Sequence, residues 1–329
     1  MSIIREDFTI DRKKASAIVI AAAVILISAI TVLSACTERT PSIDERHAAT
    51  LHSEGAIGAI EAIEDDAKFE IIAPQAFVYN EEVGKIVYLR GSEKIIYPAS
   101  TTKLLSILCA LNVLDADELV TPNEDALSLV AEHSSLAFVK PHHTLTVEML
   151  IEGMLLPSGN DAAYALACAA GEKLTDGAKT GKEAVKAFVS EMNRYAEEIG
   201  MCGSNFTSPD GFFDEDHYST VEDMAILSLI ASKNEVIMRY AGVREDSVTY
   251  ASGHTITWHN TNLMLDPESK YYSPCVTGMK TGSLDGNSCM ICSFSVGNRN
   301  FIAGVFTEPD GDVRFADMKK IVDYYTNIH

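Results

Sequence analysis

The chain has 329 residues, an apolar fraction of 47% and a formal net charge of −21. That acidity comes without a basic patch or a basic run interleaved with aromatics, so nucleic acid is excluded as an expected partner, as is electrostatic adhesion to anionic lipid. The apolar fraction is ample for a core, in one large domain or two small ones.

Residues 1–36 differ from the rest. Arg5, Arg12, Lys13 and Lys14 precede an uncharged run from Ala15 to Val32, followed by Leu33, Ser34, Ala35 and Cys36. A basic start, an apolar middle and small residues before a cleavage point describe an export signal. Leu-Ser-Ala-Cys also resembles a bacterial lipobox, which implies cleavage before Cys36 and lipidation of its thiol. An uncleaved anchor is the alternative, because the uncharged run is nearly long enough to span a bilayer. Either route places the remainder outside the cytoplasmic membrane, tethered at its N-terminus. Residues 37–72 are polar and acidic and read as a spacer, leaving 73–329 as the folded domain.

From Gln75 the pattern changes. Alternation over Gln75–Asn80 and Lys85–Arg90, separated by Glu81-Glu82-Val83-Gly84, predicts a hairpin. The stretch Tyr97–Leu111 reads as a buried helix with Pro98 in its opening turn. A helical region ending near Ala131 follows. The run Thr144–Ala170 then reads as two apolar helices broken at Pro157-Ser158-Gly159-Asn160. Lys182–Ile199 predicts a further helix, Thr207–Thr220 a turn-rich stretch, and Val221–Lys233 a helix capped by Thr220 with Asp223 three residues on. After a polar crossover, runs beginning at Gly278, Ser288 and Asn300 read as strands, and Val313–Ile328 as a closing helix. Strands at both ends around a helical block predict an α/β fold of the α+β type. An antiparallel sheet is assembled from both chain ends and flanked by helices, beside a mostly helical lobe.

Cys109, Cys168, Cys202, Cys275, Cys289 and Cys292 are expected as buried free thiols by default, with disulfides as the alternative. Cys289 and Cys292, three apart in a strand, face opposite sides and make a poor metal or redox pair. The nine histidines form no His-Glu-x-x-His helix, and His142-His143 beside Pro141 reads as a loop, so no metal site is expected.

Ser100 and Lys103 stand one turn apart at the head of the apolar helix. A buried lysine is costly unless paired, and positions i and i+3 share a helix face. A hydroxyl and an amine can therefore meet there, the layout of an activated nucleophile beside its base. An N-cap serine followed by a lysine reaching the surface is the structural alternative. Ser158-Gly159-Asn160 lies between two apolar helices, where a polar turn is expensive to bury unless its side chains have a role; a plain helix–helix turn is the alternative. Ser232-Lys233-Asn234 ends a helix and reads as surface. Lys179-Thr180-Gly181 sits in a charged, glycine-rich connection and reads as a solvated loop. Lys280-Thr281-Gly282 precedes a strongly β-forming run, and a glycine in a strand lets another backbone approach closely.

In chain order, Ser100-Thr101-Thr102-Lys103, Ser158-Gly159-Asn160 and Lys280-Thr281-Gly282 resemble the Ser-x-x-Lys, Ser-x-Asn and Lys-Thr-Gly triplet of penicillin-binding proteins and class A β-lactamases. Agreement is closer with the low-molecular-weight D-alanyl-D-alanine carboxypeptidases, whose blocks Tyr97–Lys103, Leu155–Ala163, Thr207–Ala225 and Val276–Met290 resemble; the likeness runs from about Gln75 to His329. The resemblance implies a serine peptidase acting on peptidoglycan stem peptides that end in D-Ala-D-Ala, binding β-lactam antibiotics and using no cofactor. Ser100 would be the nucleophile and Lys103 its neutral base, depressed by burial and by Lys280. Ser158 would relay a proton to the departing amine, and Asn160 would hold the acyl side chain or Lys103. The N–H groups of Ser100 and Ser283 would receive the oxyanion. Lys280 and Thr281 of the Lys280-Thr281-Gly282 strand would hold the substrate carboxylate, helped by Arg314, for which a surface ion pair is the alternative. Two departures stand out. Many family members carry a C-terminal β-rich domain and tail anchor, whereas this chain stops after one helix. There is also no Glu-x-x-Leu-Asn segment, the source of the deacylating glutamate in class A β-lactamases, which argues against efficient penicillin hydrolysis. A β-lactamase, a D-Ala-D-Ala endopeptidase and a non-catalytic wall-binding lipoprotein are the competing functions.

Overall fold

The structure is a computed structural model and describes residues 69–327 apart from 176, 178 and 310. The export segment, Cys36 and most of the 37–72 spacer lie outside the described residues. The chain opens with strands β1 (Gln75–Asn80) and β2 (Lys85–Arg90), then a 3-10 turn (Ala99–Thr102) running into α1 (Lys103–Leu111). Next come β3 (Leu119–Val120), α2 (Glu124–Leu127), β4 (Leu145–Thr146), α3 (Val147–Leu155), α4 (Asn160–Leu174) and α5 (Gly181–Glu198). The second half holds α6 (Val221–Ser232), α7 (Glu235–Ala241), β5 (Glu245–Thr249) and β6 (Thr255–His259). A 3-10 turn (Leu263–Leu265), β7 (Val276–Leu284), β8 (Asn287–Val296), β9 (Arg299–Glu308) and α8 (Val313–Asn327) complete it.

The predicted sheet forms from both chain ends. β1 pairs with β2 on one side and with β9 on the other, from Gln75 opposite Phe306 to Asn80 opposite Phe301, giving the antiparallel order β2-β1-β9-β8-β7 with β7 at one edge. Successive strand residues point to opposite faces. Ala76, Val78, Met290, Cys292 and Phe294 therefore pack with Phe315, Met318, Ile321 and Val322 of α8 in one core. Phe77, Tyr79, Cys289 and Ile291 join the helical lobe in the other. Cys289 and Cys292 thus lie in different cores, as their spacing predicts. Together with Cys109 and Cys168 they are buried free thiols, and Cys275 is free and half-buried.

α1 is apolar on nearly every side, and such a helix has to be buried all round. Leu104, Leu105, Ile107 and Leu108 are all in the core, which fixes α1 at the centre of the lobe against α4, α5 and α6. Around it, α5 is amphipathic, burying Ala184, Val185, Phe188 and Met192 at helical spacing. Thr180 caps α5 by accepting the Glu183 N–H at 3.1 Å, so the first Lys-Thr-Gly copy is a helix cap.

Three regions differ from the sequence reading. The helical region expected to reach Ala131 is only the single turn α2; His133 and Phe138 beyond it have positive φ, which no right-handed helix accommodates. The polar crossover contains α7 and the β5–β6 hairpin, whose alternation is masked because its outward residues are charged or hydroxylic and only Val248 and Trp258 are buried. Residues 69–72, assigned to the spacer, belong to the folded body. Phe69 packs 4.8 Å from Tyr88 and 5.2 Å from Tyr324, and Ile71 is buried. The cause is Asp317: buried in α8, it takes the Ile72 N–H and, at 2.8 Å, the Ala73 N–H. Among the described residues no helix is long and apolar enough to cross a membrane, and no group of three or more His, Cys, Asp or Glu is placed to hold a metal ion.

Candidate active site

Ser100 sits in the 3-10 turn, directly after Ala99, whose φ of +51° is unusual for a residue with a side chain. Its hydroxyl caps nothing, which removes the N-cap alternative. The turn then hands over to α1, so that Lys103 is the first α-helical residue and lies on the same side as Ser100. Lys103 does not reach the surface. It is fully buried, and its Nζ donates to Ser100 Oγ at 2.8 Å, to Asn160 Oδ1 at 2.8 Å and to the Asp210 carbonyl at 3.0 Å. Ser100 itself is half-buried, so the hydroxyl is reachable while its amine partner is not.

The turn between α3 and α4 supplies the second group. Ser158, with φ of +62°, accepts a hydrogen bond from Lys280 Nζ at 2.8 Å, and Asn160 opens α4 with its amide oxygen on Lys103. Edge strand β7 supplies the third. Lys280 is buried and also donates to the Thr281 carbonyl at 2.8 Å, while the Thr281 hydroxyl stands 2.6 Å from that of Thr261. Gly282 explains how β7 reaches the turn that carries Ser100. A Cβ there would lie 2.9 Å from Ala99 Cβ and 3.0 Å from Ser100 N, so only glycine allows this approach. The structure thus brings together Ser100, Lys103, Ser158, Asn160, Lys280, Thr281 and Gly282, while Ser232-Lys233-Asn234 lies apart, with Lys233 paired to Glu81. Arg314 lies at the end of β7: it is buried, and its guanidinium donates to the Gly282 carbonyl and, at 2.7 Å, to Ser283 Oγ.

Burial sets the electrostatics. It lowers Lys103 to about 8, against the raising influence of Asp210 and Asp161. Lys280 is lowered well below its usual value, first by burial and then by the charges of Lys103 and Arg314. The sequence reading gave Lys280 a share in depressing Lys103; here burial lowers Lys103, and the repulsion falls on Lys280.

Several supporting residues carried no motif. Asp161 accepts the N–H groups of Ala137 at 2.8 Å and Val139 at 2.7 Å, pinning the 131–139 segment beside the Ser158-Asn160 turn. The Thr207–Thr220 stretch is stitched to α1 by Ser106 Oγ donating to the Pro209 carbonyl at 2.6 Å, next to the Asp210 carbonyl on Lys103. Gly211 has φ of +80°, and a Cβ there would lie 1.9 Å from the Ala99 carbonyl, so a glycine is required for that approach as well. His217, lowered to about 4 by burial, is neutral. Its Nδ1 accepts the Thr207 N–H at 3.1 Å, which leaves Nε2–H to donate to Thr102 Oγ1 at 2.9 Å.

Comparison with known proteins agrees with this geometry. The family model for D-alanyl-D-alanine carboxypeptidases matches residues 61–310. The D-alanyl-D-alanine carboxypeptidase DacF of Bacillus subtilis is 31% identical over 77% of this chain, which spans 61% of that relative's length. The D-alanyl-D-alanine carboxypeptidase of a Streptomyces species, strain K15, is 30% identical, the match covering 85% of this chain and 97% of that one. The crystal structure of the Streptomyces K15 DD-transpeptidase aligns with a TM-score of 0.70 at 28% identity, over 78% of this chain and 98% of that one.

Proposed function

The chain belongs to the D-alanyl-D-alanine carboxypeptidase family, and from that premise we propose that it is a serine peptidase that removes the terminal D-Ala from peptidoglycan stem peptides through an acyl-serine intermediate. The observation that carries this reading is the 2.8 Å contact between Ser100 Oγ and the amine of a fully buried Lys103.

When Lys103 is neutral it has two N–H groups, and the Asn160 and Asp210 oxygens take both, which leaves its lone pair facing Ser100. The Ser100 hydroxyl then gives its proton to that lone pair as Oγ attacks the penultimate carbonyl. The oxyanion rests on the backbone N–H groups of Ser100 and Ser283. Lys280 donates to Ser158 Oγ, so the Ser158 proton is directed toward the departing amine and Lys280 can replenish it. Lys280 and Thr281 receive the terminal carboxylate. Arg314 braces β7 from behind, through Gly282 and Ser283, and adds positive potential to that end. Water completes the cycle by releasing a stem one residue shorter. An amine acceptor in place of water would make the same intermediate a transpeptidase, and the Streptomyces K15 protein carries both names.

Penicillin, a mimic of the same acyl donor, acylates Ser100 in this scheme. The site of action is outside the cytoplasmic membrane, with residues 1–36 as the tether, through a lipid on Cys36 or an uncleaved anchor; the support is the basic, apolar, small-residue order of that segment. Release of D-Ala from a stem pentapeptide tests the activity: the protein should liberate it and Ser100→Ala should not. No release from the folded wild-type protein would contradict the reading.

A further inference from the structure

Thr261 lies between β6 and the Leu263–Leu265 turn, outside all three motifs. Its backbone N–H donates to the Leu156 carbonyl at 3.1 Å, just ahead of Pro157 and Ser158, and its hydroxyl stands 2.6 Å from Thr281 Oγ1 on β7. The neighbouring asparagines hold it there. Asn260 Nδ2 donates to the Val243 carbonyl at 2.9 Å while its Oδ1 accepts the Asn262 N–H at 2.9 Å, and Asn262 Oδ1 accepts the Met264 N–H at 3.0 Å. Thr261 is thus tied by its backbone to the helix end that leads to Ser158 and by its side chain to the strand that carries Lys280.

The direction of the hydroxyl pair matters. A hydroxyl has a single proton but can accept as well as donate, whereas a carboxylate only accepts. If Thr281 gave its proton to Thr261, a lone pair would face the substrate carboxylate. If Thr261 donates instead, the Thr281 proton is free to point at it. Thr281 is only 4% exposed, so water is poorly placed to substitute for Thr261. We propose that Thr261 is a positioning residue for carboxylate recognition: its hydroxyl donates to Thr281 Oγ1 and so turns the Thr281 proton toward the substrate's terminal carboxylate. This rests on the DD-peptidase reading above.

Two thioesters of the same N-acyl-D-alanine test it, one with thioglycolate as leaving group, which carries a carboxylate, and one with methyl thioglycolate, which does not. Thr261→Val should lose about tenfold or more in kcat/KM on the charged thioester, mostly through KM, and less than about threefold on the uncharged one. Thr261→Ala should behave alike, and Thr261→Ser, which keeps the donor, should recover most of the loss. Equal losses on the two thioesters, or no loss on either, would overturn the assignment. A folded wild-type protein that turns over neither thioester would instead refute the peptidase reading itself, and this inference with it.

Discussion

The amine of Lys103 is surrounded by three uncharged oxygens, and its burial lowers it to about 8, as the proposed role of base requires. A free lysine titrates at about 10.4, and the shift to about 8 means the neutral, active form grows as pH rises. The rate of acylation by penicillin should therefore climb about tenfold per pH unit below about 8 and level off above it; a flat profile from pH 6 to 9 would exclude Lys103 as the base. Gly282→Ala tests the contact between β7 and the Ser100 turn. The added Cβ meets Ala99 and Ser100 N, so acylation should slow at least tenfold while overpacking costs about 1–3 kcal/mol by urea unfolding. Unchanged acylation would mean that the fit is loose. Ser100, Lys103, Ser158, Asn160, Lys280 and Thr281 were readable in the sequence because each motif packs several chemical side chains into a short span. Asp210 and His217 were not. The first acts on Lys103 through a backbone carbonyl, which every residue possesses, and the second meets Thr102 from 115 positions away.

Elements were legible where burial is one-sided or complete. Complete burial of β1 and of α1 leaves an apolar run in each, and the one-sided burial of α5 leaves a stripe at helical spacing. The β5–β6 hairpin leaves little trace, because its exposed positions are Glu245, Asp246, Ser247 and Thr249 on one strand and Thr255, Thr257 and His259 on the other. It nevertheless matters to the site. Trp258 on β6 donates its indole N–H to the Ala137 carbonyl at 3.0 Å, and Ala137 in turn donates to Asp161 beside Asn160. Asp161→Ala removes the acceptor from buried N–H groups of Ala137 and Val139, and should destabilise the protein by about 1–3 kcal/mol per orphaned donor while slowing acylation. Chemical unfolding at the wild-type midpoint would show instead that the 131–139 segment is held by other contacts.

At the scale of the molecule, the sheet depends on pairing between the first and last strands, and the cluster of Ser100, Lys103, Ser158 and Lys280 depends on the sheet. β7 brings Lys280 to Ser158, α1 brings Lys103 to Ser100, and Asn160 reaches Lys103 from α4. Residues 69–73 close this body by packing Phe69 and Ile71 and by satisfying Asp317. A chain beginning at Gln75 should therefore be less stable than one beginning at Glu38 by about 2–4 kcal/mol in urea, and equal midpoints would return these residues to the spacer. The sequence could not show this boundary, because Phe69, Ile71 and Ile72 form no periodic run and their partners lie in β2 and α8. Intact mass spectrometry of the protein with penicillin over time, with peptide mapping of the adduct, bears most directly on the whole account. A persistent penicilloyl adduct on Ser100, absent in Ser100→Ala, is the predicted result. An adduct elsewhere, or none on the folded wild-type protein, would contradict the claim that these three motifs form an acyl-serine active site.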